Sequence, residues 1–211
     1  MRNYIQEFLG TFFLIFIGVG SIILNDITGN MSNLFIGIIF GLTVMVIVYL
    51  FGHKSGAHIN PAVTIAFWIN GSFDGQKVFP YVFSQILGSV IASYFLYFIF
   101  DNPKMMGETL IKNGNWLQCL FLEIIITFLL MFVILNITVT SKRKRFLAGF
   151  LIGSVVTMGS IFIGPITGSS MNPARSIGPA LFGDSSFLWV YIFSTIIGAI
   201  LAVYFKKTIS R

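Results

Sequence analysis

Six long runs without an acidic or basic side chain dominate the chain, at roughly 8–25, 27–50, 78–100, 124–141, 146–174 and 187–205. A membrane-spanning helix takes about 20 mostly apolar residues, so each run predicts one span. Two further apolar pieces, about 60–70 and 172–182, are too short to cross. The first run lacks an early basic cluster and a small-residue cleavage site, so it reads as a retained helix and not as a signal peptide.

Composition agrees. Of 211 residues, 56% are hydrophobic and 9% charged, with a mean hydropathy of +0.91. Soluble domains carry roughly 25% charged residues, so this chain could not cover a water-facing surface. Twenty-four Phe against 6 Pro argue against disorder, and the lone Cys119 leaves no disulfide to form within the chain.

Short cytoplasmic connections collect Lys and Arg. With both termini inside, the inner segments hold Arg2, Lys54, Lys77, Lys142, Arg143, Lys144, Arg145, Lys206, Lys207 and Arg211, while the outer ones hold only Lys104, Lys112 and Arg175. That bias sets the expected topology. The run at 142–145 therefore reads as an orienting inner loop and not as a nucleic-acid patch.

The two halves repeat. Glu7, Thr11, Phe12 and Leu14 match Glu123, Thr127, Phe128 and Leu130 at an offset of 116; Gly37 and Gly41 match Gly149 and Gly153 at 112. Ser55-Gly56 with Asn60-Pro61-Ala62 matches Thr167-Gly168 with Asn172-Pro173-Ala174 at 112, and Phe83, Ser84, Ile86, Gly88 and Ala92 match Phe193, Ser194, Ile196, Gly198 and Ala202 at 110. We read a first repeat at 1–103 and a second at 117–211 within one domain, each with three spans and a short piece between its second and third. Three is odd, so the second half inserts upside down relative to the first. One short piece then enters from the cytoplasm and the other from outside, and non-helical backbone at that depth must be buried in protein or line a watery cavity.

Asn is a strong N-cap, and Pro suits the first helical position because its missing N–H would have had no partner there. Asn60-Pro61 and Asn172-Pro173 thus predict two half-helices that start near the midplane. Their facing N-termini each present roughly half a positive elementary charge, which opposes cations. The Asn60 and Asn172 amides can cap their own helices and still offer N–H donors to a passing water. A water held through its oxygen in this way cannot relay a proton freely. The unwound stretches Gly56-Ala57-His58 and Gly168-Ser169-Ser170 would supply carbonyl acceptors along the track.

SGAHINPAV at 55–63 and TGSSMNPARS at 167–176 resemble the aquaporin or major intrinsic protein family over essentially the whole chain. GPITGSSMNPARSIGPAL at 164–181 and WVYI at 189–192 are similar to its nodulin-26-like branch and bacterial relatives. The resemblance implies an all-α membrane fold of six spanning helices and two re-entrant half-helices, with one pore in each protomer of a homotetramer. It also implies that Arg175 is the arginine of the outer constriction, with Phe40, Ser160 and Ser169 as its partners. Water-specific members carry His where Ser160 stands, and glycerol channels carry Trp at the Phe40 position with a second aromatic before the second motif. This ring fits neither set. Two small hydroxyls predict a wider, more polar constriction, passing water with glycerol, urea or metalloid hydroxides, a strict water channel being the alternative. Ser169 stands where some members carry a mercury-reactive Cys, so mercurials should not block.

Glu7 and Glu123 lie inside spans, where acids are functional candidates. They could relay protons, as in a secondary transporter. The resemblance favours a static role, in which Glu7 accepts hydrogen bonds near His58 and Glu123 accepts them from the second loop. His53, beside Lys54, reads as a solvated inner-loop residue. An ion channel would need an acidic ring, which is missing, and no Ser/His/Asp set, phosphate loop, metal cluster or cofactor motif suggests an enzyme. The expected partners are water, small neutral solutes and the bilayer of the plasma (inner) membrane.

Overall fold

The computed structural model describes residues 2–112, 115–137 and 141–210, and Arg211 lies outside them. Six helices are long and apolar enough to span: α1 (Arg2–Thr28), α2 (Asn33–Phe51), α4 (Val78–Ile99), α5 (Trp116–Leu135), α6 (Lys142–Phe162) and α9 (Leu188–Ile209). Between them lie two half-helices, α3 (Pro61–Ile69) and α8 (Pro173–Ala180), and the short α7 (Gly164–Thr167). The protein is an integral, multi-pass membrane protein.

Two spans differ from the charge-free runs. α1 and α5 start well before the expected 8 and 124 because their acids are inside the helices. Both acids are fully buried. A run cut at every charge therefore loses the first turns of these helices. The run 146–174 in turn divides into α6, α7 and a loop, since Gly164-Pro165 interrupts an apolar stretch that hydropathy alone reads as continuous.

Packing repeats as the sequence does. α1 packs on α4 and α5 on α9, and the two halves meet where α2 crosses α6. Small residues permit these approaches, replacing the hydrophobic drive that lipid removes. A methyl at Gly41 would strike the Gly153 carbonyl, one at Gly153 the Gly41 carbonyl, and methyls at Gly88 and Gly198 the equivalent carbonyls of Phe8 and Ile124. Each half-helix leans on the other half: α3 on α9, and α8 on α4. Their N-terminal ends meet inside the bundle.

Candidate functional site

Each half-helix starts as the sequence dictates. Asn60 and Asn172 sit in extended backbone and accept the N–H of Ala62 and Ala174 at 2.9 and 3.0 Å, with Pro61 and Pro173 in the first turn. The loops before them are unusual. Gly56, Ala57 and Ile59 have φ of 90, 46 and 45°, and Gly168, Ser169 and Met171 have 80, 47 and 53°. Left-handed backbone is strained in non-glycine residues, most of all in a β-branched one such as Ile59, at a cost on the order of 1–3 kcal/mol each.

The two acids hold this backbone. The Glu7 carboxylate accepts the N–H of His58 at 3.0 Å and of Ile59 at 2.6 Å, and Glu123 accepts those of Ser170 and Met171, both at 2.9 Å. Gln85 adds a donor to Glu7 at 2.8 Å and Thr167 one to Glu123 at 2.6 Å. A buried carboxylate is costly unless charge-assisted bonds replace its water. Each has three such bonds, and neither lines the cavity described below. A proton relay would need that contact.

Turning the loops this way frees their carbonyls. Among the described residues, no protein group donates to the carbonyls of Gly56, Ala57, His58, Gly168, Ser169 or Ser170. Five of the six residues line one cavity and Gly168 does not. Gly168 caps α7 in left-handed backbone, its N–H bonded to the Gly164 carbonyl, and its own carbonyl is, among the described residues, as free of protein donors as the other five. The spacing of the repeat cannot reveal α7.

The half-helices are tied crosswise. Asn60 Nδ2 donates to the Met171 carbonyl at 2.7 Å, and Asn172 Nδ2 donates to the Ile59 carbonyl at 2.8 Å. One hydrogen of each amide is thereby used by the opposite loop, and the other has no partner among the described residues. Each asparagine therefore offers one donor, not two.

The cavity holds about 270 Å³. One wall is the polar track of Asn60, Asn172 and the loops. The other is apolar, built at four-residue spacing from Phe40, Val44 and Val48 of α2 and from Ala148, Ile152 and Val156 of α6. Ser160 continues the α6 row, and Ser169 and Arg175 complete the lining, so all four expected filter residues border the same space. Arg175 is 2% exposed; its Nη1 donates to the Gly107 carbonyl at 2.8 Å, and its guanidinium carbon lies 5.6 Å from the Phe40 ring centroid. No acid lies within 4 Å of Arg175 among the described residues, where Lys77–Asp74 is the one ion pair. Arg175 Nε and Ser169 Oγ are buried and have no partner among the described residues. His58 also lines the cavity, its ring stacked on Phe67 and edge-on to Phe73 with centroids 4.8 Å away in each case, and its Nδ1 3.1 Å from Thr64 Oγ1. His53 is exposed on the connection between α2 and α3.

Several supporting groups escaped the sequence reading. The hydroxyls of Tyr81 and Tyr191 donate to the carbonyls of Ser55 and Thr167 at 2.9 and 2.8 Å, bracing both loops alike. They recur at an offset of 110, and extending the repeat alignment by two residues before Phe83 would have found them. Gly107 gives no such signal, since it acts through its backbone.

The model for the family described as Major intrinsic protein matches residues 1–205. The probable aquaporin NIP-type of Nicotiana alata is 43% identical over 206 residues, covering 97% of this chain and 76% of the relative. Nodulin-26 of Glycine max is 40% identical over 206 residues, with the same shares. Among solved structures, the aquaglyceroporin from Plasmodium falciparum superposes with a TM-score of 0.87 at 27% identity, covering 97% of this chain and 94% of the other. A match that runs through both halves, and so through both re-entrant loops, assigns the chain to the major intrinsic protein family.

Proposed function

We infer that the chain is a passive channel for water and small uncharged solutes, glycerol, urea and metalloid hydroxides among them, that excludes ions and protons. The observation that carries this reading is the crosswise pair, Asn60 to Met171 and Asn172 to Ile59, bordering one cavity with Phe40, Ser160, Ser169 and Arg175.

The chemistry follows from the free donors and acceptors. A water or solute hydroxyl entering from outside meets the Arg175 guanidinium and the Ser160 hydroxyl, with Phe40 as the apolar side of the ring. It then passes along the carbonyls of Ser169 and Ser170 to the asparagines. There its oxygen accepts the one remaining N–H of Asn60 and of Asn172, and its own hydrogens point away along the track. Beyond lie the carbonyls of His58, Ala57 and Gly56. The apolar wall offers no competing bond, so the solute sheds little and gains little as it moves. A hydrated cation would lose its shell against two helix N-termini and Arg175.

Two small hydroxyls in the ring support passage of solutes larger than water. The similar proteins include an aquaporin and an aquaglyceroporin, which points the same way. We also propose two inverted repeats at 1–103 and 117–211, a homotetramer as is usual in the family, and a position in the inner (plasma) membrane with both termini cytoplasmic. The distribution of bases supports that orientation.

Stopped-flow light scattering on proteoliposomes tests the reading. Water shrinkage and glycerol re-swelling should both be fast and rise linearly with gradient, and a planar bilayer should carry no current. Saturable flux would indicate a transporter, and water flux without solute flux a strict water channel.

A further inference from the structure

A second cleft lies away from the first, on the surface of the bundle. α2 and α6 pack backbone against backbone where Gly41 meets Gly153 and Gly149 meets Met45. Further along, at the end where α2 stops and α6 starts, they leave a cleft of about 530 Å³. The last two turns of α2 line it with Met45, Val46, Tyr49 and Leu50. The first turns of α6 add Phe146 and two cations, Lys142 and Arg143, both exposed.

The chain has no acid left to neutralise this corner. Of the seven acids, Glu7 and Glu123 hold the re-entrant loops, Glu108 meets the turn of Asp184, and Asp74 pairs with Lys77. Asp26 and Asp101 lie at the opposite end of the bundle, in the last turn of α1 and just past α4. Other bases near the cleft are engaged: Lys77 with Asp74, and Lys206 and Lys207 with the carbonyls of Leu135 and Ile69, the last residues of α5 and α3. The run Lys142 to Arg145 makes no ion pair among the described residues. It also fills the first turn of α6, where the helix dipole favours acids and none is present.

We propose that this cleft binds an anionic phospholipid of the adjacent leaflet, its phosphate between Lys142 and Arg143 beside the Tyr49 hydroxyl and one acyl chain along Leu50, Phe146 and Val46. Basic pockets between spanning helices suit such headgroups, and a guanidinium meets a phosphate through two parallel bonds. A free phosphate would take the charges and leave the apolar walls unused. A zwitterionic lipid would bring its own cation to a cluster of four. A second copy of the chain brings no unpaired acid to this end, since its Asp74 is paired with Lys77. The lipid bridges α2 and α6, the contact that joins the two halves.

The site does not depend on what the channel conducts. Native mass spectrometry of the full-length protein in detergent, with added phosphatidylglycerol or phosphatidylcholine, reads its occupancy. Wild type should retain phosphatidylglycerol in preference to phosphatidylcholine. Lys142→Gln with Arg143→Gln should weaken that binding roughly thirtyfold, the scale of two contacts between a base and an anionic headgroup. Lys54→Gln with Lys144→Gln removes as much charge from the same end but outside the cleft, and should weaken it no more than about threefold, as for screened surface charges. Val46→Trp fills the cleft at unchanged charge and should also release the lipid; this variant decides if the loss of two orienting bases prevents insertion. Equal weakening by the two charge pairs, or none by Val46→Trp, would reduce the site to general attraction and overturn the proposal. So would displacement of the lipid by inorganic phosphate, which marks a free-anion site. A changed oligomer mass in Val46→Trp with the lipid count unaltered would overturn it too, by making the cleft a contact between copies.

Discussion

The two re-entrant loops are built alike and finished differently. Each is held by one buried acid through two consecutive backbone N–H groups, braced by one tyrosine hydroxyl, turned through left-handed residues and capped by one asparagine. The differences lie in what fills equivalent places. Where the first loop has His58 bonded to Thr64 among aromatic rings, the second has Ser170 bonded to Ser176 and through it to Thr109. Where the first motif continues with Val63, the second continues with Arg175. The symmetric parts make a hole with acceptors on one side. In the function proposed above, the asymmetric parts decide what enters it.

The largest expected effect tests the shared part. Glu7→Ala and Glu123→Ala each orphan two buried N–H groups beneath strained backbone, at roughly 1–3 kcal/mol per group. Thermal unfolding in detergent should show a large and similar loss for both. A marked loss for one only would mean that the loops are not equivalent supports. Next comes the asymmetric part. Arg175→Val makes the second motif like the first, removing the charge beside the opening, and should raise cation or proton leak about tenfold while leaving the fold intact. Dye-based proton flux in liposomes reads this, and an unchanged leak would assign exclusion to the half-helix dipoles alone. A smaller effect concerns packing at the crossing of the halves. Gly41→Ala drives a methyl toward the Gly153 carbonyl and should cost about 1–3 kcal/mol, read as a lower midpoint with unaltered solute preference. The smallest is no effect: mercurials should leave water flux unchanged, because Cys119 is 1% exposed on α5 and is absent from the cavity lining. Strong, thiol-reversible block would mean that this cysteine reaches the lumen.

Much of the shared part could be read from the sequence because it is written twice. Asn60 and Asn172, Glu7 and Glu123, and the glycine pairs recur at offsets near 112, and each has a physical reason to sit where it does. The unshared part is written once, and its partners are far apart in the chain. Arg175 stood out as a charge in an apolar stretch, but the group that holds it is a backbone carbonyl 68 residues away. Side-chain patterning carries no trace of that. Glu108 was similarly hidden, being an acid in a connection where acids are usually solvated, and only its contacts with Met106 and Asp184 reveal its burial. The charge-free runs begin after Glu7 and Glu123 and continue through Gly164-Pro165 for a related reason: a run of apolar residues reports burial in lipid, not where a helix begins and ends.

The central claim is that two hydroxyls in the ring, where water-specific relatives of this family carry a histidine in place of one, open the channel to solutes larger than water. The glycerol-to-water permeability ratio, measured by stopped-flow on wild type and Ser160→His side by side, tests it most directly. The account predicts measurable glycerol flux in wild type and a severalfold lower ratio in Ser160→His, with water flux reduced less. Water flux with no glycerol uptake in wild type, or a ratio unchanged by the histidine, would contradict it.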